Sequence, residues 1–229
     1  MIKLFLLGRP GSGKSTIARL IEMLASDSDL STYYIDDYSL LQNMFLIEES
    51  QHIPDEQRKF IATGPEKCKA FDVVKFSVLN EVLEEMKKKI LQVDSNWASE
   101  KKLYLLEFAR NNYREALSLF GTEFLIGSYF VYLDVDLEIC IQRINLRVPC
   151  NNFVSENIMR HFYFQDDWEP LCTDLKYVLN SEMQVRTIKN NSTLEQLENV
   201  VSLLVEDINS VVLKEYEAEE LEELVEVGT

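Results

Sequence analysis

Apolar residues follow two alternating rhythms along this chain. Short continuous apolar runs at 2–7, 103–106 and 129–133 have the length and density of strands covered on both faces. Residues 32–35 and 184–188 are weaker runs of the same kind. Between them, apolar positions recur every three or four residues. Ile17, Leu20, Ile21 and Leu24 share one helical face, and so do Phe76, Leu79, Leu83, Met86 and Ile90. The longest set is Leu194, Leu197, Val201, Leu204, Val205, Ile208 and Val212. It follows Asn191-Ser192-Thr193, which are N-cap residue types. Residues 137–148 read as a further helix after the fourth strand. The alternation predicts an α/β domain in three layers, a five-stranded parallel sheet between flanking helices.

Two stretches break the rhythm. Residues 48–71 hold Pro54, Gly64 and Pro65, and residues 148–170 hold Pro149, Asn151-Asn152 and Pro170, with a short helix expected from Ser155. Long irregular segments in compact domains often serve as lids or binding loops, so both are expected to be insertions that cover a site. A helix is expected from Asp72. Residues 1–213 form the expected domain. Residues 214–229 form an acidic tail in which Leu221, Leu224 and Val225 fit a docked amphipathic helix.

Charge narrows the partners. The 229 residues carry 39 acidic against 23 basic side chains, a net charge of −16, and seven glutamates in 215–229 leave −9 for the rest. Such a surface repels nucleic acid and anionic membranes, and neither is expected as a partner. No apolar run approaches the ~18 residues of a membrane span. The first apolar run meets Gly8-Arg9 too early for the core of a signal peptide. Cys68, Cys140, Cys150 and Cys172 are therefore expected as reduced thiols in a cytoplasmic protein. Cys150, His161 and Cys172 lack zinc-site spacing. His52 and His161 have no evident triad partner and are expected at the surface. The oligomeric state is not legible.

One motif carries specific chemistry. Gly8-Arg9-Pro10-Gly11-Ser12-Gly13-Lys14-Ser15 reads G-x-x-x-x-G-K-S between an expected strand and an expected helix. Glycines let successive N–H groups converge on phosphate oxygens, and the helix N-terminus adds positive potential. Gly8, Gly11, Ser12, Gly13, Lys14, Ser15 and Thr16 are the expected nucleotide-binding residues. Lys14, read as solvent-facing until phosphate arrives, reaches the β- and γ-phosphates, and Ser15 ligates Mg²⁺. No N-K-x-D follows the last strand, which disfavours guanine.

Acids and arginines gather at the expected strand ends. Asp36-Asp37 closes the second strand, at the sheet edge that faces the ligand crevice. One is expected to act on an attacking hydroxyl and the other to cap the next helix. Asp36 is weakly favoured as the base. Leu103-Tyr-Leu-Leu-Glu107 has the apolar-then-acid pattern of a Walker B strand, which makes Glu107 the second expected Mg²⁺ ligand. Arg110 either clamps a substrate group or pairs with Glu107. Arg143 and Arg147, four apart on one helical face, and Arg160 are expected to neutralise charge during phosphoryl transfer.

Together these stretches resemble the P-loop kinases of nucleosides, nucleotides and other small molecules, over residues 1–213. Arg143-Ile-Asn-Leu-Arg147 resembles the arginine pair before the lid of adenylate-kinase-like enzymes, where the first lies against adenine and the second reaches the phosphates. Val185 to Leu197, with Asn190, resembles their last strand and adenine-touching loop. The resemblance implies strand order 2-3-1-4-5, ATP and Mg²⁺, an acceptor side at 48–71 and a lid at 148–170. Glu107-Phe-Ala-Arg110 departs from the D-G-F-P-R of monophosphate kinases and leaves hydroxyl acceptors open. The expected function is phosphoryl transfer to a small-molecule acceptor, a nucleoside or nucleotide first. A nucleotide-binding regulatory protein and an acceptor-free ATPase are the alternatives.

Overall fold

The computed structural model describes residues 2–26, 30–51, 53–63, 69–94, 102–147, 153–179, 184–191, 195 and 197–210. In chain order it runs β1 (Ile2–Gly8), α1 (Lys14–Ala25), β2 (Ser31–Asp36), α2 (Asp37–Ser50), β3 (Phe60–Thr63), β4 (Ala70–Val73) and α3 (Val78–Asp94). Next come β5 (Lys102–Phe108), α4 (Tyr113–Ser118), α5 (Thr122–Leu125), β6 (Ser128–Asp134), α6 (Leu137–Leu146), α7 (Glu156–His161), α8 (Trp168–Leu179) and β7 (Val185–Lys189). Helical residues 197–210 close the described chain. The tail at 214–229, Cys68, Cys150 and His52 lie outside the described residues.

The central sheet is ordered β2-β5-β1-β6-β7, with every neighbouring pair parallel. Counting only its own strands, that is the expected 2-3-1-4-5. The continuous apolar runs arise because successive strand residues face opposite layers, and both layers are dry. Phe5, Leu7, Tyr104, Leu106, Phe108, Phe130 and Tyr132 pack with α2, α3, α4 and α8. Leu4, Leu6, Leu103, Leu105, Val131 and Leu133 pack with α1 and the helical residues 197–210. Each such large side chain, removed fully from water, contributes about 1.5–3 kcal/mol before entropy is set against it. Among the described residues no helix is long and apolar enough to cross a membrane.

The 48–71 insertion is more regular than its sequence suggested. Residues 60–63 and 70–73 form an antiparallel hairpin, with Ala62 opposite Phe71 and Ile61 opposite Asp72. The helix expected from Asp72 instead begins at Val78. Asp72 belongs to β4, and Phe76 lies ahead of α3 and stacks on Phe162 at 4.3 Å. Two four-residue strands are too short for periodicity to distinguish from loop.

Glu48 anchors the hairpin. Its carboxylate is buried near the end of α2 and accepts N–H bonds from Lys59 at 3.0 Å and Phe60 at 3.1 Å. Removing it leaves two backbone donors without their partner. Glu48→Ala is expected to cost about 2–4 kcal/mol, read as a lower urea midpoint with an unchanged slope.

Candidate functional site

The phosphate loop sits at the carboxyl end of β1, and its shape depends on glycine at two crowded points. Gly11 has φ +83°, and a Cβ there would lie 2.6 Å from the Cys140 carbonyl oxygen. Gly13 has φ +103°, and a Cβ would lie 2.5 Å from Asn190 Nδ2. The loop is thereby pressed between α6 and the turn after β7, and α1 starts from it at Lys14. The Ser12 hydroxyl is buried with no hydrogen-bond partner among the described residues. This cradle, with an unused donor inside it, fits a nucleotide's phosphates.

Lys14 differs from expectation. It is 5 % exposed, and its Nζ donates to the carbonyls of Gly8 (2.9 Å) and Arg9 (3.0 Å), with Glu107 Oε1 3.9 Å away. Burial pulls its pKa down, and the nearby Glu107 carboxylate works in the other direction. The ammonium folds back onto the loop because an unpaired buried cation is costly.

Ser15 and Glu107, the two expected metal ligands, stand together: Ser15 Oγ donates to Glu107 Oε1 at 3.1 Å. A partner that sequence reasoning missed holds the other carboxylate oxygen. Tyr34 donates its hydroxyl to Glu107 Oε2. Burial raises the Glu107 pKa, against the pull of Lys14 and of the Tyr34 hydrogen bond. A hydroxyl and a carboxylate are hard oxygen donors, suited to Mg²⁺ that takes its remaining ligands from phosphate and water. No group of three or more His, Cys, Asp and Glu suited to a metal ion occurs among the described residues. The Mg²⁺ fit therefore rests on donor chemistry.

The helix cap falls on the other aspartate than expected. Asp36, the last residue of β2, is the N-cap of α2, and its Oδ1 accepts from Ser39 N at 2.8 Å. Asp37 is the buried one. Its Oδ2 accepts from Arg110 Nη1 (2.6 Å) and from Ala109 N (3.2 Å), and the residue lines the cleft beside Lys14 and Ser15. The helix begins one residue earlier than expected. The capping role therefore moves from Asp37 to Asp36, and Asp37 is turned inward. Arg110 pairs with Asp37 and with the Leu79 carbonyl (2.7 Å), in place of the pairing with Glu107 considered from sequence.

The three arginines separate. Arg143 donates to the Asn190 carbonyl at 2.9 Å, and Asn190 Nδ2 donates to the Ser12 carbonyl at 2.7 Å, so both flank the phosphate loop. Arg147 is the C-cap of α6, with a helical φ of −66° and ψ 113°, and it lines the cleft. Arg160 is not part of this cleft. Its guanidinium forms a fork with Glu138 (2.6 and 3.0 Å) and also bonds Glu156 (2.7 Å), all on the surface. An acid four residues away on α7 and a second on α6 outcompete a distant phosphate site for it. Thr16 is exposed on the first turn of α1, and His161 is exposed on α7.

The cleft beside Lys14 and Ser15 encloses about 760 Å³, open solvent included. Its wall is mostly aromatic and aliphatic. It includes Tyr38, Phe71, Phe76, Phe153 and Tyr163, contributed by α2, the hairpin and the segment after α6. Both irregular stretches thus contribute to one cleft. Arg9, unassigned from sequence, ties the second stretch to the loop: it donates to the carbonyls of Tyr163 (2.8 Å), Val135 (3.4 Å) and Phe164 (3.4 Å), with Asp166 at 3.5 Å. A variable position inside a G-x-x-x-x-G-K-S motif offers no signal for such a contact.

No protein-family model and no curated protein matches the sequence. Solved structures do match the fold. A sugar kinase from Janibacter sp. HTCC2649, unliganded, is similar at 18% identity over 93% of this chain and 98% of its own, with a TM-score of 0.51. Kti12 from Chaetomium thermophilum, solved with ADP-AlF3, is similar at 15% identity over 92% of this chain and 98% of its own, with a TM-score of 0.52. TT1252 from Thermus thermophilus gives 16% identity, 90% and 97% coverage, and a TM-score of 0.52. Likeness at these identities concerns architecture, and it agrees with the sheet order and loop placement: the chain has the three-layer α/β fold of the P-loop kinases.

Proposed function

We propose that the protein transfers the γ-phosphoryl group of ATP to a hydroxyl of a small molecule held in the aromatic cleft. One observation carries the proposal. Lys14, Ser15, Glu107, Asp37 and Arg147 line a single cleft. Asp37 Oδ2 is engaged by Arg110 and Ala109. Its second oxygen is therefore the one available to orient a hydroxyl and take its proton as the new P–O bond forms and the bond to ADP breaks. Lys14 and Arg147 place positive charge where negative charge spreads during transfer. Ser15 and Glu107 would hold Mg²⁺, which supplies further charge neutralisation on the phosphates when bound.

The wall favours a nucleoside over a nucleotide as acceptor. Lys14 and Arg147 are the cations lining the cleft among the described residues, and three carboxylates, Asp37, Asp72 and Glu107, accompany them. A monophosphate acceptor would bring a second anion without a second set of basic partners. Arg143 and Asn190 beside the loop support adenine as the donor's base. ATP is accordingly expected to bind more tightly than GTP in calorimetry with Mg²⁺, and equal or tighter GTP binding contradicts the adenine assignment. The transfer proposal is tested by ADP release against a panel of nucleosides, sugars and antibiotics. Release that depends on one acceptor supports it, and release that ignores every acceptor points to an ATPase.

A further inference from the structure

Asp72 is the carboxylate of the cleft for which phosphoryl transfer has no use. It belongs to β4 of the hairpin and lines the cleft among aromatic rings, with Tyr38 and Phe71 stacked at 5.4 Å and Phe76 and Phe162 at 4.3 Å. Its Oδ1 accepts one long hydrogen bond, 3.3 Å from Ser155 N. Asp37 is neutralised by Arg110 and Glu107 stands beside Lys14, but no salt bridge engages Asp72 among the described residues. Two nearby basic side chains are committed elsewhere: Lys75, three residues on, donates to the Glu56 carbonyl at 2.7 Å, and Lys59, at the foot of the hairpin, donates to Glu81 at 2.6 Å. In the same cleft the Tyr38 ring stacks on Phe71, and its hydroxyl is buried near the Phe153 backbone N–H.

A half-buried carboxylate among aromatic rings is costly unless a donor or a positive charge meets it. The rings themselves supply flat faces that stack on a planar ligand and attract positive charge. A flat heteroaromatic ring with an amino group at its edge answers both features at once. It stacks on the aromatic wall and donates N–H to the carboxylate.

Resting on the kinase reading of this cleft, we infer that Asp72 is a specificity-determining residue that selects acceptors whose planar ring bears an amino group over those with a carbonyl at the same edge. A carbonyl oxygen there would face the Asp72 carboxylate as a like partner, two acceptors without a proton between them. The selection is therefore repulsive as well as attractive. Carboxylates read the amino group of cytosine in the same way in nucleic-acid recognition.

Cytidine and uridine differ at that one ring edge and serve as the probes. Calorimetry on the full chain with ADP and Mg²⁺ is expected to give cytidine an affinity at least about tenfold above that of uridine. In Asp72→Asn, which keeps the side-chain volume and the oxygen that accepts from Ser155, the two affinities should fall within about threefold of each other. Equal affinities in the wild type, or no binding of either probe, overturn the inference. The wild-type pair decides this even if the variant fails to fold. Transfer is measured separately. Selective cytidine binding without acceptor-dependent ADP release removes the kinase reading and leaves the selectivity standing. Equal turnover and affinity for both nucleosides removes the selectivity and leaves the kinase reading.

Discussion

Asp37→Asn is expected to lower turnover by roughly 10²–10⁴-fold while the affinity for ATP hardly changes. The substitution keeps the shape of the side chain and leaves an oxygen for Ala109 N and Arg110, which it now holds at 3.2 and 2.6 Å. It removes the charge that takes the hydroxyl proton. Asp36→Asn makes the contrast. Asn is as good an N-cap as Asp, so the Ser39 contact survives and both stability and turnover should stay near wild type; Asp36→Ala deletes the cap and should cost about 1 kcal/mol of stability. Steady-state kinetics and urea unfolding on the three variants separate the roles. Normal turnover in a folded Asp37→Asn protein rules out a general base at this position and leaves positioning and charge neutralisation to account for transfer.

Lys14→Ala carries the other large effect, a loss of about a thousandfold or more in turnover. Its ammonium is bonded to the Gly8 and Arg9 carbonyls and leans towards Glu107, so it is already stationed inside the loop. On the proposed mechanism it exchanges these two carbonyls for phosphate oxygens. The variant also deletes bonds that shape the loop. ADP affinity by calorimetry is therefore read beside turnover, and circular dichroism checks that the fold survives. Turnover close to wild type in a folded Lys14→Ala protein contradicts the kinase reading.

The architecture was legible because the sheet is buried on both sides. Strands such as Ile2–Gly8 and Lys102–Phe108 are apolar at nearly every position, and no other element imitates that pattern. The phosphate loop was legible because its glycines are demanded by local geometry, as the crowding at Gly11 and Gly13 makes plain. What escaped was long-range. Tyr34 meets Glu107 across 73 residues and Arg9 meets Tyr163 across 154, and neither pairing leaves a trace in local spacing. Asp72 was hidden in a hairpin whose strands are four residues each. Arg160 had two acids closer to it than any phosphate site. The order of Asp36 and Asp37 turned on a helix start displaced by one residue, which is within the ordinary scatter of helix boundaries.

The most direct test follows the phosphoryl group itself. The full chain is incubated with Mg²⁺ and ATP labelled at the γ-phosphate, with cytidine, uridine and the wider acceptor panel in separate mixtures, and the products are resolved by chromatography. The account requires the label in a phosphate ester of the acceptor, in amounts equal to the ADP formed and absent from Lys14→Ala. Label that appears only as inorganic phosphate, at the same rate with every acceptor and with none, contradicts it.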